Sequence, residues 1–438
     1  MPLRAPPPGT NDTEQGETML TDLLSNLLTI GRVCLTIGEE APIVLGSVPS
    51  TAPHLDVAVR IRDGHTAAAI AADPDLQLGD AYMDGRLEIQ RGSLWAFMEI
   101  IGRNIGHRPR PAMTAALRRT FGRMIAGVNT PDKARRNVAH HYDLSFDFYR
   151  LFLDTDLQYS CAYFSRPGQS LEAAQEAKKA HIAAKLDLHD GQHVLDIGCG
   201  WGGLALSIAR CANVKVTGIT LSVEQLTVAR QRAADIGLDH RVHFELCDYR
   251  SLATTFDRIV SVGMFEHVGR AHFDDYYASI RRLLAPDGVA LVHSIGRKDP
   301  GPGSNPWMAR HIFPGGYIPA ASEALGAIER AGLWATDMEV LRLHYAETLR
   351  HWRERVERQR LVIEGLYDER FYRMWTFYLA ACEMAFRFDG LMVFQIQIAA
   401  DIDTLPLTRD YLTTEEARIG GTTRHLLAAT EVPLLIAH

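Results

Sequence analysis

Between residues 172 and 296 the chain alternates between two hydrophobic periods, and nothing else in it constrains the fold as much. Helix-period stretches EAAQEAKKAHIAAKLDL, GGLALSIARCA, SVEQLTVARQRAADIG and DDYYASIRRLLAPDG interleave with short apolar runs HVLDIGCG, VKVTGITL, VHFELCD, FDRIVSVG and VALVHSIG. Repeated strand–helix–strand order builds right-handed βαβ units and a mostly parallel sheet with helices on both faces. Such a sheet consumes much apolar sequence, and 438 residues at 47% hydrophobic supply it. Ligands are then expected at the carboxyl ends of the strands.

Other segments read differently. Residues 1–18 are rich in Pro, Gly and acids and are expected to form a disordered tail. Leu20, Leu23, Leu24, Leu27 and Leu28 fall on one helical stripe, which either packs into a core or meets lipid. VAVRIRD (57–63) alternates as a strand, and PDLQLGDAYMDGRLEI mixes apolar patches with turns, so a smaller mixed α/β or helical domain is expected over residues 19–125. From Glu99 to Asp132 there is no acid between, yet Arg103, Arg108, Arg110, Arg118, Arg119 and Arg123 all fall there. That window is either a solvated linker or a contact for anionic head groups. A second, larger domain is expected over 126–404, with ETLRHWRERVERQRLVIEGL and ERFYRMWTFYLAACEMAFRFDG as helices and LMVFQIQIAA as a last strand. The second of these helices is apolar around most of its circumference, which suits either burial or an acyl channel. Residues 405–438 form an extension suited to subunit contact, with a homodimer as one possibility.

A net charge of −7 gives no sign of a nucleic-acid binder. Cysteines 34, 161, 199, 211, 247 and 382 show no CxxC pairing, which argues against zinc or a disulfide framework and suits a reducing cytoplasm. The start lacks the order of a secretory signal and no run of 18 apolar residues follows, so any membrane contact is expected to be peripheral.

VLDIGCGWGG (194–203) leads from a buried strand through Gly198, Gly200, Gly202 and Gly203 into a helix. Glycine serves where backbone turns sharply or meets a ligand closely. Asp196 stands two residues before the first glycine, where a pyrophosphate would find a carboxylate unwelcome and an ammonium would find it useful. S-adenosylmethionine carries an ammonium, a sulfonium and no phosphate, and the turn resembles that of class I methyltransferases. That resemblance implies a Rossmann-like domain with a seven-stranded, mostly parallel sheet. At the next strand's end Thr220, Leu221 and Ser222 stand where many such enzymes have a ribose-binding acid, with Gln225 one turn on. Asp248 ends the third strand, either to accept from the adenine amino group or to cap a helix.

Methylation of an unactivated carbon needs a dry aromatic wall for a cation and a base for the departing proton. HYDLSFDFYRLFLDTDLQYSCAYF supplies His141, Tyr142, Phe146, Phe148, Tyr149, Phe152, Tyr159, Tyr163 and Phe164, and Glu266 and His293 fall near strand ends. With HYDLSFDFY, QYSCAYF, LDIGCGWGG, GITLSVEQ, SVGMFEHVG, HSIG and HIFPGGYIP in order, the sequence resembles the cyclopropane-fatty-acyl-phospholipid synthase family, which includes mycolic acid cyclopropane synthases.

The resemblance implies methylene transfer from S-adenosylmethionine to the alkene of a phospholipid acyl chain, through a carbocation deprotonated by bound bicarbonate. It maps the bicarbonate site to Cys161, Glu266, His293, Ile295 and Tyr345. It maps the cofactor site to Tyr159, Ser160, Asp196, Gly198, Gly200, Gly202, Thr220, Leu221, Gln225 and Asp248. It further implies a cytoplasmic protein that works at the inner face of the membrane on membrane phospholipids. Cys161 lacks a neighbouring cation in the sequence and is expected to line the pocket as a thiol, without forming a covalent intermediate. Alternatives are a fatty-acyl C-methyltransferase giving a methyl-branched or methylene product, and a lipid-binding protein without activity.

Overall fold

The computed structural model describes residues 10–106, 144–301 and 303–430. The expected domain boundary at 125/126, the arginines from Arg108 to Arg123, and His141 and Tyr142 lie outside the described residues.

The chain divides into two compact units, one built from residues 1–120, 302–314 and 349–391 and the other from the rest. The first is therefore assembled from three stretches of sequence. Its elements open with α1 (Thr10–Leu27), β1 (Gly31–Ile37), β2 (Ile43–Ser47), β3 (Asp56–Ile61), α2 (Gly64–Ala72), α3 (Pro74–Met83), β4 (Leu87–Arg91) and α4 (Leu94–Gly106). The sheet runs β2-β1-β3-β4, with β1 parallel to β3 and the outer pairs antiparallel.

The tail expectation fails from Thr10 onward, because α1 begins there. The reason is contact between helices: Gly16 lies so near Ala68 of α2 that a Cβ would sit 2.3 Å from its methyl. Leu20 and Leu28 are buried while Leu23 is exposed, so much of the leucine stripe serves the core.

The second unit carries α5 (Phe146–Phe152), α6 (Leu171–Lys185), β5 (His193–Ile197), α7 (Gly203–Cys211), β6 (Lys215–Thr220), α8 (Val223–Asp235), β7 (Val242–Leu246), β8 (Phe256–Val262), α9 (Phe273–Leu283) and β9 (Leu284–Arg297). After α10 (Pro306–His311), which belongs to the first unit, come α11 (Ala321–Arg330), β10 (Trp334–Val340) and α12 (His344–Arg358). The chain continues through α13 (Arg360–Leu366) and α14 (Glu369–Phe388) to β11 (Leu391–Ala399) and α15 (Asp410–Thr430).

Seven strands form one sheet in the order β10-β11-β9-β8-β5-β6-β7. From β9 to β7 all neighbours are parallel, and β10 pairs antiparallel with β11. This is the doubly wound arrangement that the alternating periods predict. Two apolar cores fill it, one around Val194, Val216 and Ile208, the other around Ile197, Ile259 and Tyr276. Strand β9 begins at Leu284, ahead of the expected VALVHSIG. The single helix expected over 347–366 breaks at Gln359 (φ −102, ψ 18) into α12 and α13.

Residues 405–438, expected at a subunit contact, supply α15, which packs on α6 of its own chain. In the first unit α14 packs on α3 and α4 with Trp375 and Tyr378 buried, as a core helix does. There Glu383, fully buried, accepts from Arg353 Nε and Arg387 Nε at 3.0 Å each. Removing one partner of a buried ion pair strands the other without water. Glu383→Ala is expected to cost about 3 kcal/mol of stability in urea or thermal unfolding.

Candidate active site

Strand β5 ends in the turn predicted for it. Gly198 (φ +82) and Gly200 (φ +52) adopt backbone that L side chains avoid, and no atom lies within 4 Å of where a Gly200 Cβ would stand. The N–H groups of Gly198 and Cys199 both donate to Ile219 O at 3.0 Å, tying the turn to β6. Gly202 (φ +84) has a second reason as well: a Cβ there would meet Phe244 Cζ at 2.8 Å and Ala229 Cβ at 3.0 Å.

Asp196 is 1% exposed and its Oδ2 has no hydrogen-bond partner among the described residues. Burial pushes its carboxyl up to about 7, opposed by the Lys178 cation. A buried acceptor left unmatched is costly unless a ligand completes it. At the end of β6, Thr220 Oγ1 donates to Gln225 Oε1 at 2.8 Å, while Ser222 caps α8 by accepting from Gln225 N. Thr220, Leu221 and Gln225 thus meet at one strand end. Asp248 caps the short 3-10 turn Tyr249–Ser251 and its carboxylate also grips Arg250.

Before α6, Tyr159 and Ser160 lie half-buried on a loop. Ser160 Oγ accepts from Lys178 Nζ at 2.8 Å, and Gln158 Oε1 accepts from the same ammonium at 2.5 Å. Lys178 is wholly buried, which pushes its amine down to about 8, and its charge also bears on Asp196, Cys161 and His293. Lys178 is not among the site residues expected from the sequence. Its signal was a polar stripe at helical spacing, Gln175, Lys178 and Lys185, on a helix otherwise buried along that side.

The aromatic stretch divides. Phe146, Tyr149, Phe152 and Tyr159 cluster with Trp201 of the glycine turn, at ring distances from 5.3 to 6.3 Å. Phe148, Tyr149 and Phe152 are fully buried and serve as core. Tyr163 turns elsewhere and is sandwiched between His181 (4.2 Å) and His344 (5.0 Å), while Phe164 N donates to His344 Nδ1. One continuous wall is therefore replaced by two clusters, because the chain reverses at Leu157 (φ +60) and Gln175 anchors the returning backbone at Gln158 O and Ser160 O.

Glu266 sits in a 3-10 turn after β8 and is buried. Its Oε1 accepts from Ile295 N at 2.6 Å, and Oε2 is buried with no hydrogen-bond partner among the described residues. Burial pushes this carboxyl up to about 7, with the Ile295 N–H pulling the other way. Ile295, expected with Glu266 among the residues around bicarbonate, gives its N–H to Glu266. His293, two residues earlier on β9 and 2% exposed, shares Ile295's face of the strand. Burial and the Lys178 and Lys185 cations hold its imidazole well below the ordinary value.

Cys161 is buried, its Sγ donating to Ala162 O, and burial drives the thiol's pKa upward. It is therefore no thiolate nucleophile. Ala162 N donates to Thr348 Oγ1 at 3.0 Å, one turn beyond buried Tyr345 on α12. So the loop carrying Cys161 and the helix carrying Tyr345 are joined, as are the turn of Glu266 and strand β9.

A parallel sheet whose central strand runs into a glycine turn beside a buried acid, with Thr220 and Gln225 at the neighbouring strand's end, is the arrangement of class I methyltransferases. The turn fits S-adenosylmethionine: Asp196 Oδ2 offers an unmatched acceptor for an ammonium, and the space beside Gly200 is open. The family description mycolic acid cyclopropane synthetase matches residues 129–396. The cyclopropane-fatty-acyl-phospholipid synthase of Escherichia coli strain K12 is 37% identical over 347 residues, covering 79% of this chain and 88% of that protein. A probable fatty acid methyltransferase of Pseudomonas putida is 37% identical over 353 residues, covering 78% and 87%. The crystal structure of mycolic acid cyclopropane synthase CmaA1, complexed with SAH and CTAB, superposes with a TM-score of 0.57 at 33% identity, over 60% of this chain and 98% of that one. The chain belongs to the mycolic acid cyclopropane synthetase family and is an S-adenosylmethionine-dependent methyltransferase.

Replacing Asp196 by Asn removes the anion and keeps the shape. Affinity for S-adenosylmethionine is expected to fall at least tenfold in calorimetry, the scale of one charge-assisted hydrogen bond. In the unaltered protein the carboxyl is neutral below about pH 7 and anionic above it, so affinity for the cationic cofactor rises with pH through that region. The Asn variant should lose that rise.

Proposed function

We propose that the protein is a cyclopropane-fatty-acyl-phospholipid synthase that transfers a methylene from S-adenosylmethionine to the cis double bond of an unsaturated acyl chain. The observation that carries this reading is Glu266, a buried carboxyl with one oxygen fixed by Ile295 N and the other unmatched. Methyl transfer to nitrogen or oxygen also releases a proton, but from a group that exchanges readily with water. Ring formation at carbon must take a proton from the added methyl after the alkene has attacked, in a pocket closed to water, and so needs a base held inside it.

Bicarbonate fits this donor and acceptor set, since its hydroxyl can donate to Glu266 Oε2. When bound, S-adenosylmethionine supplies an electrophilic methyl and bicarbonate a small base. In this reading Asp196, the Tyr159–Ser160 loop, Thr220, Leu221 and Gln225 hold the cofactor around the glycine turn. Glu266 Oε2 holds the proton-bearing oxygen of the base, and His293 and Tyr345 donate to it. Cys161 fills the pocket as a neutral thiol. In this reading the half-buried rings of Phe146 and Tyr159 offer aromatic faces that favour positive charge on the acyl chain, with the core rings behind them keeping out water that would quench it.

A second reading rests on the Pseudomonas putida relative, as similar in identity as the synthase: the cation shifts a hydride and then loses a proton to the base, leaving a methylene or a methyl-branched unsaturated chain. Lipid mass spectrometry after expression in a host lacking cyclopropane acids separates the two. Ring-containing acyl chains, insensitive to mild hydrogenation of alkenes, are expected; branched or unsaturated products would replace the first reading by the second. Glu266→Gln is expected to bind cofactor normally while turnover falls on the order of a hundredfold. Unchanged turnover would remove Glu266 from the reaction.

We further propose that the protein works on membrane phospholipids from the cytoplasmic side. No helix among the described residues is long and apolar enough to cross a membrane. The acid-free arginine window supports peripheral binding to anionic head groups. Charge reversal of Arg118 and Arg119 is expected to weaken co-sedimentation with anionic vesicles and spare that with neutral ones. Equal sedimentation before and after the change would make the window a linker.

A further inference from the structure

Three adjacent strands carry a row of polar side chains that runs from half-buried Glu339 to buried Gln395 and His293. Glu339 on β10 is the direct cross-strand partner of Gln395 on β11, and β11 lies next to β9, which carries His293. Lys185, 2% exposed at the end of α6, donates to Glu339 Oε2 at 2.5 Å and to Gln395 Oε1 at 2.8 Å. Gln395 is wholly buried, and its Nε2 stands 3.1 Å from His293 Nδ1.

The hydrogen-bonding capacities of these groups leave one assignment. An ammonium only donates, so the end of the amide that meets Lys185 must be its oxygen. The NH2 end then faces His293, and a donor facing Nδ1 requires that nitrogen to be unprotonated. The single ring hydrogen of a neutral His293 is therefore on Nε2. Without Lys185 the amide could turn over, exchanging two ends of nearly equal shape, and the tautomer would follow it. Glu339 is itself held in place, because His181 Nε2 bonds to its Oε2 at 2.7 Å.

We infer that Lys185 and Gln395 are positioning residues that fix His293 as the Nε2–H tautomer, so that it meets the reacting groups as a hydrogen-bond donor and does not serve as their base. The functional consequence rests on the proposed place of His293 in the reaction; the tautomer itself does not. Deprotonation of the alkylated chain then falls to the partner held by Glu266, and the ring of His293 stays neutral throughout.

The ligand-free protein, labelled with ¹⁵N-histidine, tests the tautomer directly through the imidazole nitrogen shifts, with His293 assigned by the signals missing in His293→Asn or His293→Gln. Protonated Nε2 and unprotonated Nδ1 are expected. Gln395→Glu presents an acceptor to Nδ1 and should move the proton there or create the imidazolium, with kcat falling about tenfold and KM for vesicle lipid little changed. Lys185→Met should give a mixture of tautomers. A wild-type spectrum with the proton on Nδ1, or an unchanged tautomer in Gln395→Glu, would overturn the inference. Should either variant fail to fold, the wild-type spectrum decides alone. If the tautomer is as expected but His293→Asn turns over at the full rate, the tautomer assignment stands and the place of His293 in the reaction falls.

Discussion

Parallel pairing of β6, β5, β8 and β9 is the constraint on which the rest of the second unit depends. It delivers four strand ends to one edge of the sheet, each followed by a turn whose backbone groups have no ladder to join. The glycine turn, the Ser222 cap and the Glu266 turn are three answers to that shortage. Two of them leave a carboxylate oxygen over, on Asp196 and on Glu266. In both cases burial raises the affinity for a proton to nearly neutral pH.

The buried Lys178 cation opposes that rise at Asp196. Lys178 and Lys185, seven residues apart on α6, occupy one face of that helix, both bear on His293, and each holds its own set of partners. The first orders the loop of Gln158 and Ser160, and the second orders Glu339 and Gln395. Although burial opposes it, hydrogen bonds from His181 and Lys185 hold Glu339 down at about 2. His181 in turn meets Glu416 of α15 at 3.1 Å, so a helix beyond the residues matched by the family description is wired into the same polar interior.

Sequence patterning revealed the sheet because its signal is long and periodic: five apolar strands and four helices repeat the same alternation. The glycine turn was readable for a different reason, since Asp196 and the glycines have no role in a mere packing segment. Trp201 sat inside that motif unnoticed as an aromatic partner, because sequence order gives no hint that Phe146 and Tyr149 fold back on it. Composition alone could not divide the stretch 141–164, where Tyr163 belongs to a histidine stack and Tyr149 to the core. Buried lysines escaped for the same physical reason that makes them informative: a lysine is ordinarily solvated, and only tertiary partners make burial tolerable. In the first unit, Gly16 looked like tail composition until Ala68 of a later helix was seen to need its missing side chain.

Fixing Glu266 through a main-chain donor at position 295 frees that position from any demand on its side chain. Every amino acid except proline brings the same N–H, so the orientation of the carboxyl survives substitution there. Isoleucine can consequently be exchanged for larger or smaller groups over evolutionary time without disturbing the carboxyl that its N–H holds.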